Sequence, residues 1–340
     1  MKIRLSAAFL SFAAFAGLTV APSAQALTIN PIFDSTVTGS NYVAQIENGF
    51  RTAAAVFTGN ITNYATINID VSWGYVAGQS LGTGGLGASS AYLYTNLPGA
   101  SIQYWLTAAA ASPRASKAES GSSKYLAAAV QADSAYKFAL PTAEAKALGL
   151  VNPVSTALDG YIGFGKYQPY TFSGAVKAGT YDFVAVAQHE IEEVLGRISG
   201  ISSSNPSFLT PFDLFRYTAP GVSTHSYSAL SYFSIDGGAT KLAIFNSAPY
   251  GGDRGDLNGA TADVDNAFLS AGQTNNVLQD DFTILDVLGY SSIPGANTLP
   301  NSQSTQWIVA HLDVPEPGSL PLLAVGLTGL MLIVRRKRAS

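Results

Sequence analysis

The sequence predicts an α+β fold: a twisted mixed β-sheet with helices in the first half of the chain, and a loop-rich, β-leaning second half. Three observations support this prediction. Segments of alternating apolar residues are interspersed with segments of helical periodicity as far as Gly196. A strongly helical run ends at this glycine. Beyond it, short strand-like pieces are separated by turn residues.

The first half opens with a strand, a helix and a second strand. Leu27–Phe33 alternates as a strand does, Asn41–Phe57 carries apolar residues at helical spacing, and Ala65–Trp73 alternates strictly. The other elements predicted before residue 180 are a loop at Gly78–Gly87, helices at Leu97–Ala111, Lys124–Ala132 and Thr142–Ala147, a polar loop at Ser112–Ser123, and a strand at Leu158–Gly165.

The helix that follows carries the most informative residues of the chain. It is predicted to begin at Thr180 or Asp182, which are helix-capping residue types, and to end at Gly196. One face is apolar, and the other includes the run His189-Glu-Ile-Glu-Glu193. The apolar face consists of Phe183, Val184, Ala187, Ile191, Val194 and Leu195.

The second half is predicted to consist mostly of loops. Pro211–Tyr217 leads into a turn at Ala219–Gly221, and Tyr232–Gly238 is a strand that enters a hairpin turn. Gly251–Asp256 is a polar loop, and Asp281–Gly289 is a final helix. The predicted organisation is a signal peptide at residues 1–26, one domain at 27–290 with subdomains 27–200 and 201–290, a linker at 291–313 and a sorting signal at 314–340.

The N-terminus is typical of a secretory signal peptide. Lys2 and Arg4 precede an apolar run at 5–20, and Ala24 and Ala26 form an A-x-A site at which signal peptidase would cleave. A membrane anchor is the competing interpretation, but the apolar run is short for a membrane span.

The C-terminus also has three parts. Pro315, Glu316 and Pro317 precede an apolar stretch at Leu320–Val334 and a basic tail at Arg335–Arg338. This arrangement resembles the PEP-CTERM sorting signal of Gram-negative bacteria. The resemblance implies a transient transmembrane helix and processing by an exosortase; the alternative is a permanent single-span anchor. Either way the body of the protein is exported to the cell surface or the medium.

Composition excludes several classes of function. The 340-residue chain contains no cysteine, so it has neither disulfides nor a thiol nucleophile. Charged residues make up 12%, and the formal net charge is −4. Because no basic stretch lies outside the two signals, nucleic acid is not an expected partner.

The chemistry of the motif points to a metal. Residues four apart share one helix face, so His189 and Glu193 can address the same ion. Zinc accepts both imidazole nitrogen and carboxylate oxygen, and a catalytic zinc needs three protein ligands. Glu190 is then placed to act as the general base towards metal-activated water. These residues predict a zinc-dependent endopeptidase that acts on proteins or peptides.

The third ligand is left open by the sequence. In the metzincin pattern H-E-x-x-H-x-x-G-x-x-H, the last histidine position corresponds to Ser199, a poor zinc ligand. His225 and His311 are the remaining histidines. Asp213 is the preferred candidate because a carboxylate in an apolar segment needs a partner, although that partner could instead be an arginine, Arg197 or Arg216.

Several segments resemble a family of secreted bacterial metalloproteases whose usual motif is H-E-x-x-E and which often carry PEP-CTERM tails. They are the motif run 189–197, Asp213–Tyr217, Ala219–Gly221, Tyr232–Gly238 and Gly252-Asp253. The resemblance implies a metzincin-like zinc peptidase fold in which Glu193 belongs to the motif. It also suggests that Tyr217, by analogy with the tyrosine below the zinc of metzincins, stabilises an oxyanion.

Two alternatives remain beside this prediction. Calcium could bind the acidic residues of the second half, but their spacing does not match an EF-hand, which favours solvated loop carboxylates. The protein could also be a non-catalytic surface or matrix protein that retains a metalloprotease fold without zinc. The acidic residues concerned are Asp253, Asp256, Asp263 and Asp265.

Overall fold

A computed structural model describes residues 26–110, 137–203, 208–259, 262–293, 296 and 330–339. The predicted loop Ser112–Ser123 and helix Lys124–Ala132 lie outside the described residues, as do His311, Ala24 and Pro315–Pro317. The first strand begins at Thr28, directly after the predicted signal-peptide cleavage site.

The described residues form a mixed α+β fold, as predicted. The helices are α1 (Ser35–Thr38), α2 (Val43–Thr58), α3 (Gly99–Ala109), α4 (Thr142–Ala147), α5 (Phe183–Leu195) and α6 (Gln279–Val287), with 3-10 turns at Pro211–Phe215 and Ala248–Tyr250. The strands up to α5 are β1 (Thr28–Phe33), β2 (Thr66–Trp73), β3 (Tyr75–Val76), β4 (Gln79–Ser80), β5 (Gly85–Leu97), β6 (Lys137–Pro141), β7 (Gly160–Phe164), β8 (Tyr170–Thr171) and β9 (Tyr181–Asp182). Those after α5 are β10 (Phe208–Leu209), β11 (Arg216–Ala219), β12 (Val222–Ser223), β13 (Tyr232–Phe233), β14 (Ala243–Ile244), β15 (Phe268–Leu269) and β16 (Leu330–Ala339).

The main sheet has the order β1-β2-β7-β5-β16-β15, and β6 also pairs with β5. Strands β1, β2 and β7 run parallel, whereas β5 is antiparallel to β7. Helix α2 connects β1 to β2 and packs against the motif helix α5. A smaller antiparallel sheet, β12-β11-β13-β14, forms in the second half of the chain.

The prediction for the segment Gly78–Gly87 was wrong, because strand β5 begins inside this predicted loop. The strand predicted at Leu158–Gly165 is β7, which lies between β2 and β5. The first part of β5 reads Gly-Leu-Gly-Ala-Ser-Ser-Ala and is buried on both faces. Small residues give no alternating apolar signal, although they let two layers approach the strand closely.

The predicted C-terminal transmembrane helix is not observed in the described residues. Leu330–Ala339, which includes the end of the predicted span, forms strand β16 along β5. The exposed edge of β5 offers unpaired backbone groups, and an extended segment can satisfy them. Among the residues that the structure describes, no helix combines the length and the apolar character needed to cross a bilayer.

One apolar core joins the two predicted subdomains. It contains residues of α2, the main sheet, α5, the turn Pro211–Phe215 and α6. Hydrogen bonds also cross between the halves: the Tyr290 hydroxyl donates to the carbonyl of Leu195 at 2.7 Å, and the Asn63 side chain donates to the carbonyl of Gly289 at 3.0 Å. The end of the chain's second half is therefore fixed directly beneath the motif helix.

The predicted boundaries of the motif helix are confirmed. Asp182 is the N-cap and accepts a hydrogen bond from the Ala185 amide at 3.2 Å. Gly196 ends α5 with φ 132°, a conformation that residues with a β-carbon rarely adopt. A β-carbon at this position would also lie 2.8 Å from Oε2 of Glu144 on α4.

Glu144 gives the fold a testable pH dependence. Burial raises the pKa of this carboxyl well above its usual value. Between the ordinary pKa and the raised one, the folded state binds more protons than the unfolded state, so stability falls as pH rises through this window. Glu144→Gln should remove that contribution. Urea unfolding of both proteins should show the variant gaining stability relative to wild type as pH is raised from about 4 to about 8; a constant difference would contradict this assignment.

Candidate metal centre on the motif helix

The motif helix is buried on its polar face as well as on its apolar face. His189 and Glu193 are 1% exposed and Glu190 is 0% exposed. An amphipathic surface helix would leave such residues in water. Instead, imidazole nitrogen and carboxylate oxygens of the three residues lie within 4.8 Å of one another.

A hydrogen bond from the second half of the chain orients His189. The distance from its Nδ1 to the carbonyl oxygen of Val264 is 2.9 Å, so Nδ1 carries the proton and donates it. Arg197 approaches the same nitrogen at 3.4 Å, but the shorter contact to Val264 fixes the tautomer. In the neutral imidazole this leaves the lone pair on Nε2, as a metal ligand requires.

Two carboxylates face Nε2 of His189. Oε1 of Glu193 lies 3.8 Å away, and Oδ1 of Asp256 lies 3.6 Å away. Asp256 comes from the loop predicted at Gly251–Asp256, which the structure holds against α5. Its backbone carbonyl accepts a hydrogen bond from the Asn246 amide at 2.8 Å, and Arg197 donates to the neighbouring Gly255 carbonyl at 3.0 Å.

Strand β5 shapes the other side of this centre. The Ser89 hydroxyl donates to Oε2 of Glu193 at 2.6 Å, leaving Oε1 directed to His189. Gly87 faces Glu190: a β-carbon there would collide with Oε1 of Glu190 and lie 2.7 Å from Cγ1 of Val186. The absence of a side chain at Gly87 therefore makes room for the Glu190 carboxylate.

The donor set fits a zinc ion. Zinc bonds of about 2.0–2.2 Å in a tetrahedral site place neighbouring ligand atoms roughly 3.4 Å apart. The two separations from Nε2 of His189, 3.6 Å to Asp256 and 3.8 Å to Glu193, are close to that value. The ligand atoms of His189, Glu190 and Glu193 all lie within 4.8 Å of one another, whereas Asp256 is a candidate third ligand through its approach to His189.

Asp213, the ligand preferred from the sequence, has a different environment. Its Oδ1 accepts from the Ser199 hydroxyl at 2.5 Å, and its Oδ2 accepts from the amides of Gly200 and Thr210 at 2.8 and 2.9 Å. It thus caps the 3-10 turn Pro211–Phe215 and joins that turn to the segment after α5. Both of its oxygens are used structurally, which favours Asp256 over Asp213 as third ligand.

Tyr217 and His225 also lie apart from the contacts described above. Tyr217 is buried in β11, pairs with Tyr232 on β13 and packs against Gly238. His225 is half-buried in the loop that follows β12. The oxyanion role of Tyr217 stays a prediction, and the contacts observed for it are those of a sheet residue in the core.

Arg197, directly after the helix-ending Gly196, is completely buried among acids. Its Nε lies 2.8 Å from Oδ2 of Asp265 and 3.6 Å from Oε2 of Glu192, and its Nη2 lies 3.9 Å from Oδ1 of Asp256. Burial by itself would lower the pKa of Arg197, but the surrounding carboxylates raise it above its usual value. The guanidinium therefore stays charged and offsets part of the negative charge.

The acidic residues of the second half are not solvated, contrary to the sequence-based prediction. Asp256, Asp263 and Asp265 are at most 1% exposed, while Asp253 is half-buried. The difference arises because Asp256, Asp263 and Asp265 lie against residues of α5 and α6 instead of on the surface. Glu192 and the first turn of α6 add further buried acids, Asp280 and Asp281.

Asp256, Gly87 and Ser89 were not predicted from the sequence as parts of the candidate centre. Only Asp256 had a visible signal, since it lies in a Gly/Asp-rich loop. Nothing in the sequence pairs β5 with α5, and the carbonyl of Val264 is a backbone group that no motif marks.

Comparison with known proteins identifies one segment. Residues 313–338 match the PEP-CTERM protein-sorting motif, which confirms the sorting signal predicted from the sequence. The chain is therefore a secreted, exosortase-processed protein of Gram-negative bacteria that is transiently anchored to the membrane. No curated protein and no solved structure matches the chain.

Proposed function

We propose that this protein is an exported zinc-dependent endopeptidase with a metzincin-like catalytic half. The observation that carries the proposal is the convergence on Nε2 of His189, where Glu193 and Asp256 present oxygens at 3.8 and 3.6 Å while Val264 holds the proton on the opposite ring nitrogen. Two carboxylates at this distance from one ring nitrogen need a positive charge there, and a zinc ion on the neutral imidazole would supply it.

Each residue of the centre would have a separate role. His189, Glu193 and Asp256 would hold the zinc ion, and the ion would supply Lewis acidity for attack of water on a peptide carbonyl. Glu190 would take the proton from the attacking water and later give it to the leaving amine. Ser89 would keep Glu193 oriented, and Gly87 would leave space for the Glu190 carboxylate to move.

A non-catalytic surface protein is the second candidate, and the burial of the site is the observation that favours it. A peptide substrate has to reach Glu190, which is 0% exposed. Strand β16 pairs with β5 alongside Gly87 and Ser89. This strand belongs to the sorting segment, so hydrolysis should be assayed on protein from which the sorting segment has been removed.

Metal content tests the proposal and the choice of third ligand. Wild type should bind close to one equivalent of zinc, measured by mass spectrometry of the dialysed protein. His189→Ala, Glu193→Ala and Asp256→Asn should each lose it, because a three-ligand site cannot spare a ligand. Asp213→Asn should retain zinc, since the caps that it makes do not involve the ion.

Asp253→Asn is the matched control for Asp256→Asn. It makes the same chemical change in the same loop, and an asparagine oxygen can still accept from the Gly255 amide. Zinc-free wild-type protein would overturn the peptidase proposal. Loss of zinc from Asp213→Asn with retention by Asp256→Asn would restore the ligand preferred from the sequence.

A further inference from the structure

A second group of acidic side chains lies behind the motif helix, on the side of α6. Asp263, Asp280 and Asp281 present oxygens within 4.8 Å of one another, and Glu192, Asp265 and Asp281 form an equivalent group. Asp281 is common to both. We call these five residues the Asp281 cluster; they come from α5, the loop before β15 and the first turn of α6.

The cluster is unusual because all of its members are buried. Each of the five side chains is 0% exposed. Among the residues that the structure describes, Arg197 is the arginine that contacts the cluster, through Asp265 and Glu192. One guanidinium balances only part of the charge that five carboxylates would carry, and buried carboxylates without compensation are strongly unfavourable.

Asp263 and Asp281 each have one oxygen that accepts a hydrogen bond from a described residue and one that does not. Oδ1 of Asp263 accepts from the Asp265 amide at 2.7 Å, but its Oδ2 accepts no hydrogen bond from any residue that the structure describes. Oδ2 of Asp281 accepts from the Leu278 amide at 2.5 Å, and within the described part of the chain its Oδ1 likewise has no donor. Orphaned oxygens at full burial indicate a missing ligand.

We infer that the Asp281 cluster is a calcium site, distinct from the zinc centre on His189. All of its donors are carboxylate oxygens, which hard divalent cations prefer. Calcium–oxygen bonds of about 2.3–2.6 Å place ligands on opposite sides of the ion roughly 4.6–5.2 Å apart, and nearer neighbours closer than that. The ligand atoms of each group lie within 4.8 Å of one another, which is close enough for a single calcium ion to contact all three residues.

Calcium suits the cluster better than magnesium. Calcium takes six to eight oxygens in flexible geometry, whereas magnesium demands an octahedron and usually keeps several waters. Each group offers three carboxylates that can bind through one or two oxygens, so protein groups alone can supply up to six calcium ligands.

The Asp281 cluster also lies next to the candidate zinc centre on His189. Asp263 and Asp265 flank Val264, whose carbonyl accepts the Nδ1 proton of His189. An ion held by either aspartate would fix the neighbouring carbonyl in place and so orient the histidine. This consequence rests on the proposed zinc site, whereas the calcium site does not. Loss of such an outer-shell contact typically lowers metal affinity by roughly 10–100-fold.

Calcium titration of the purified chain tests the inference. After removal of metals with EGTA, the protein should bind one equivalent of calcium and unfold at a higher temperature with calcium than without it. Asp263→Asn and Asp281→Asn should each weaken calcium binding by about tenfold or more, because ligand charge sets affinity. Asparagine at 281 can still accept from Leu278, and circular dichroism checks that both variants fold.

Two further variants separate the centres. Asp253→Asn, outside the cluster, should bind calcium as wild type does. His189→Ala should lose zinc but keep calcium, so failure of the zinc proposal leaves this test intact. Absence of calcium binding, equal loss in Asp253→Asn, or equal stabilisation by magnesium would each overturn the inference.

Discussion

Glu190→Gln is expected to abolish hydrolysis while leaving zinc in place. Glutamine matches glutamate in shape and fits the space beside Gly87, but it cannot accept a proton from water. General-base catalysis of this kind contributes about 10²–10⁴-fold to rate, so kcat should fall by that factor. The measurement is cleavage of an unfolded protein substrate by the processed chain, with bound zinc determined on the same sample.

Glu47→Gln on α2 provides a matched control for this substitution. Glu47 is half-buried and belongs to a different helix, so the same chemical change should leave hydrolysis at the wild-type rate. Unchanged cleavage by Glu190→Gln would show that another group is the base. Loss of both zinc and activity would instead make Glu190 a ligand, an outcome that its position within 4.8 Å of His189 and Glu193 also permits.

Arg197→Met is expected to destabilise the fold more than any of the other substitutions proposed above. The guanidinium contacts Asp265, Glu192 and Asp256 and is completely buried. Methionine fills much of the same volume but leaves those carboxylates without their cation. Removing one partner of a buried ionic group costs about 3–5 kcal/mol. The free energy of unfolding in urea, measured with EDTA and EGTA present, should fall by that amount.

An exposed arginine supplies the comparison. Arg51 lies on the surface of α2, and Arg51→Met removes the same charge there. This substitution should alter stability by less than about 0.5 kcal/mol. A loss below about 1 kcal/mol for Arg197→Met would mean that the acids around it are neutralised by their own protons, and it would count against bound cations in both centres.

Some elements of the fold could be predicted because their signal is local. Helix α5 was predicted to begin at Thr180 or Asp182 and to end at Gly196, since capping and a positive φ depend on neighbouring residues; its N-cap is Asp182. The sorting signal was predicted at 314–340 and matched at 313–338 because it is a linear motif. Strand β5 gave no local signal, because its small residues do not alternate between apolar and polar. They suit the close packing of the layers on its two faces.

In the candidate centre, too, some residues could be predicted from the sequence and others could not. His189, Glu190 and Glu193 share one helix face by periodicity alone, so the sequence by itself determined that these groups stand together and that their chemistry suits zinc. The third ligand could not be determined locally. Asp213 and Asp256 are both aspartates beyond the helix, and only the path of the chain brings Asp256 to His189 and commits Asp213 to capping a turn.

Burial was likewise decided by the tertiary structure. The sequence shows loop aspartates, which ordinarily remain in water, and the fold places Asp263 and Asp265 under the motif helix instead. The physical reason is that desolvation and like-charge proximity are properties of the packed chain, set by residues far apart in sequence. The motif could be recognised in the sequence. Its candidate third ligand, the carbonyl that orients His189 and the second acidic cluster depended on tertiary contacts.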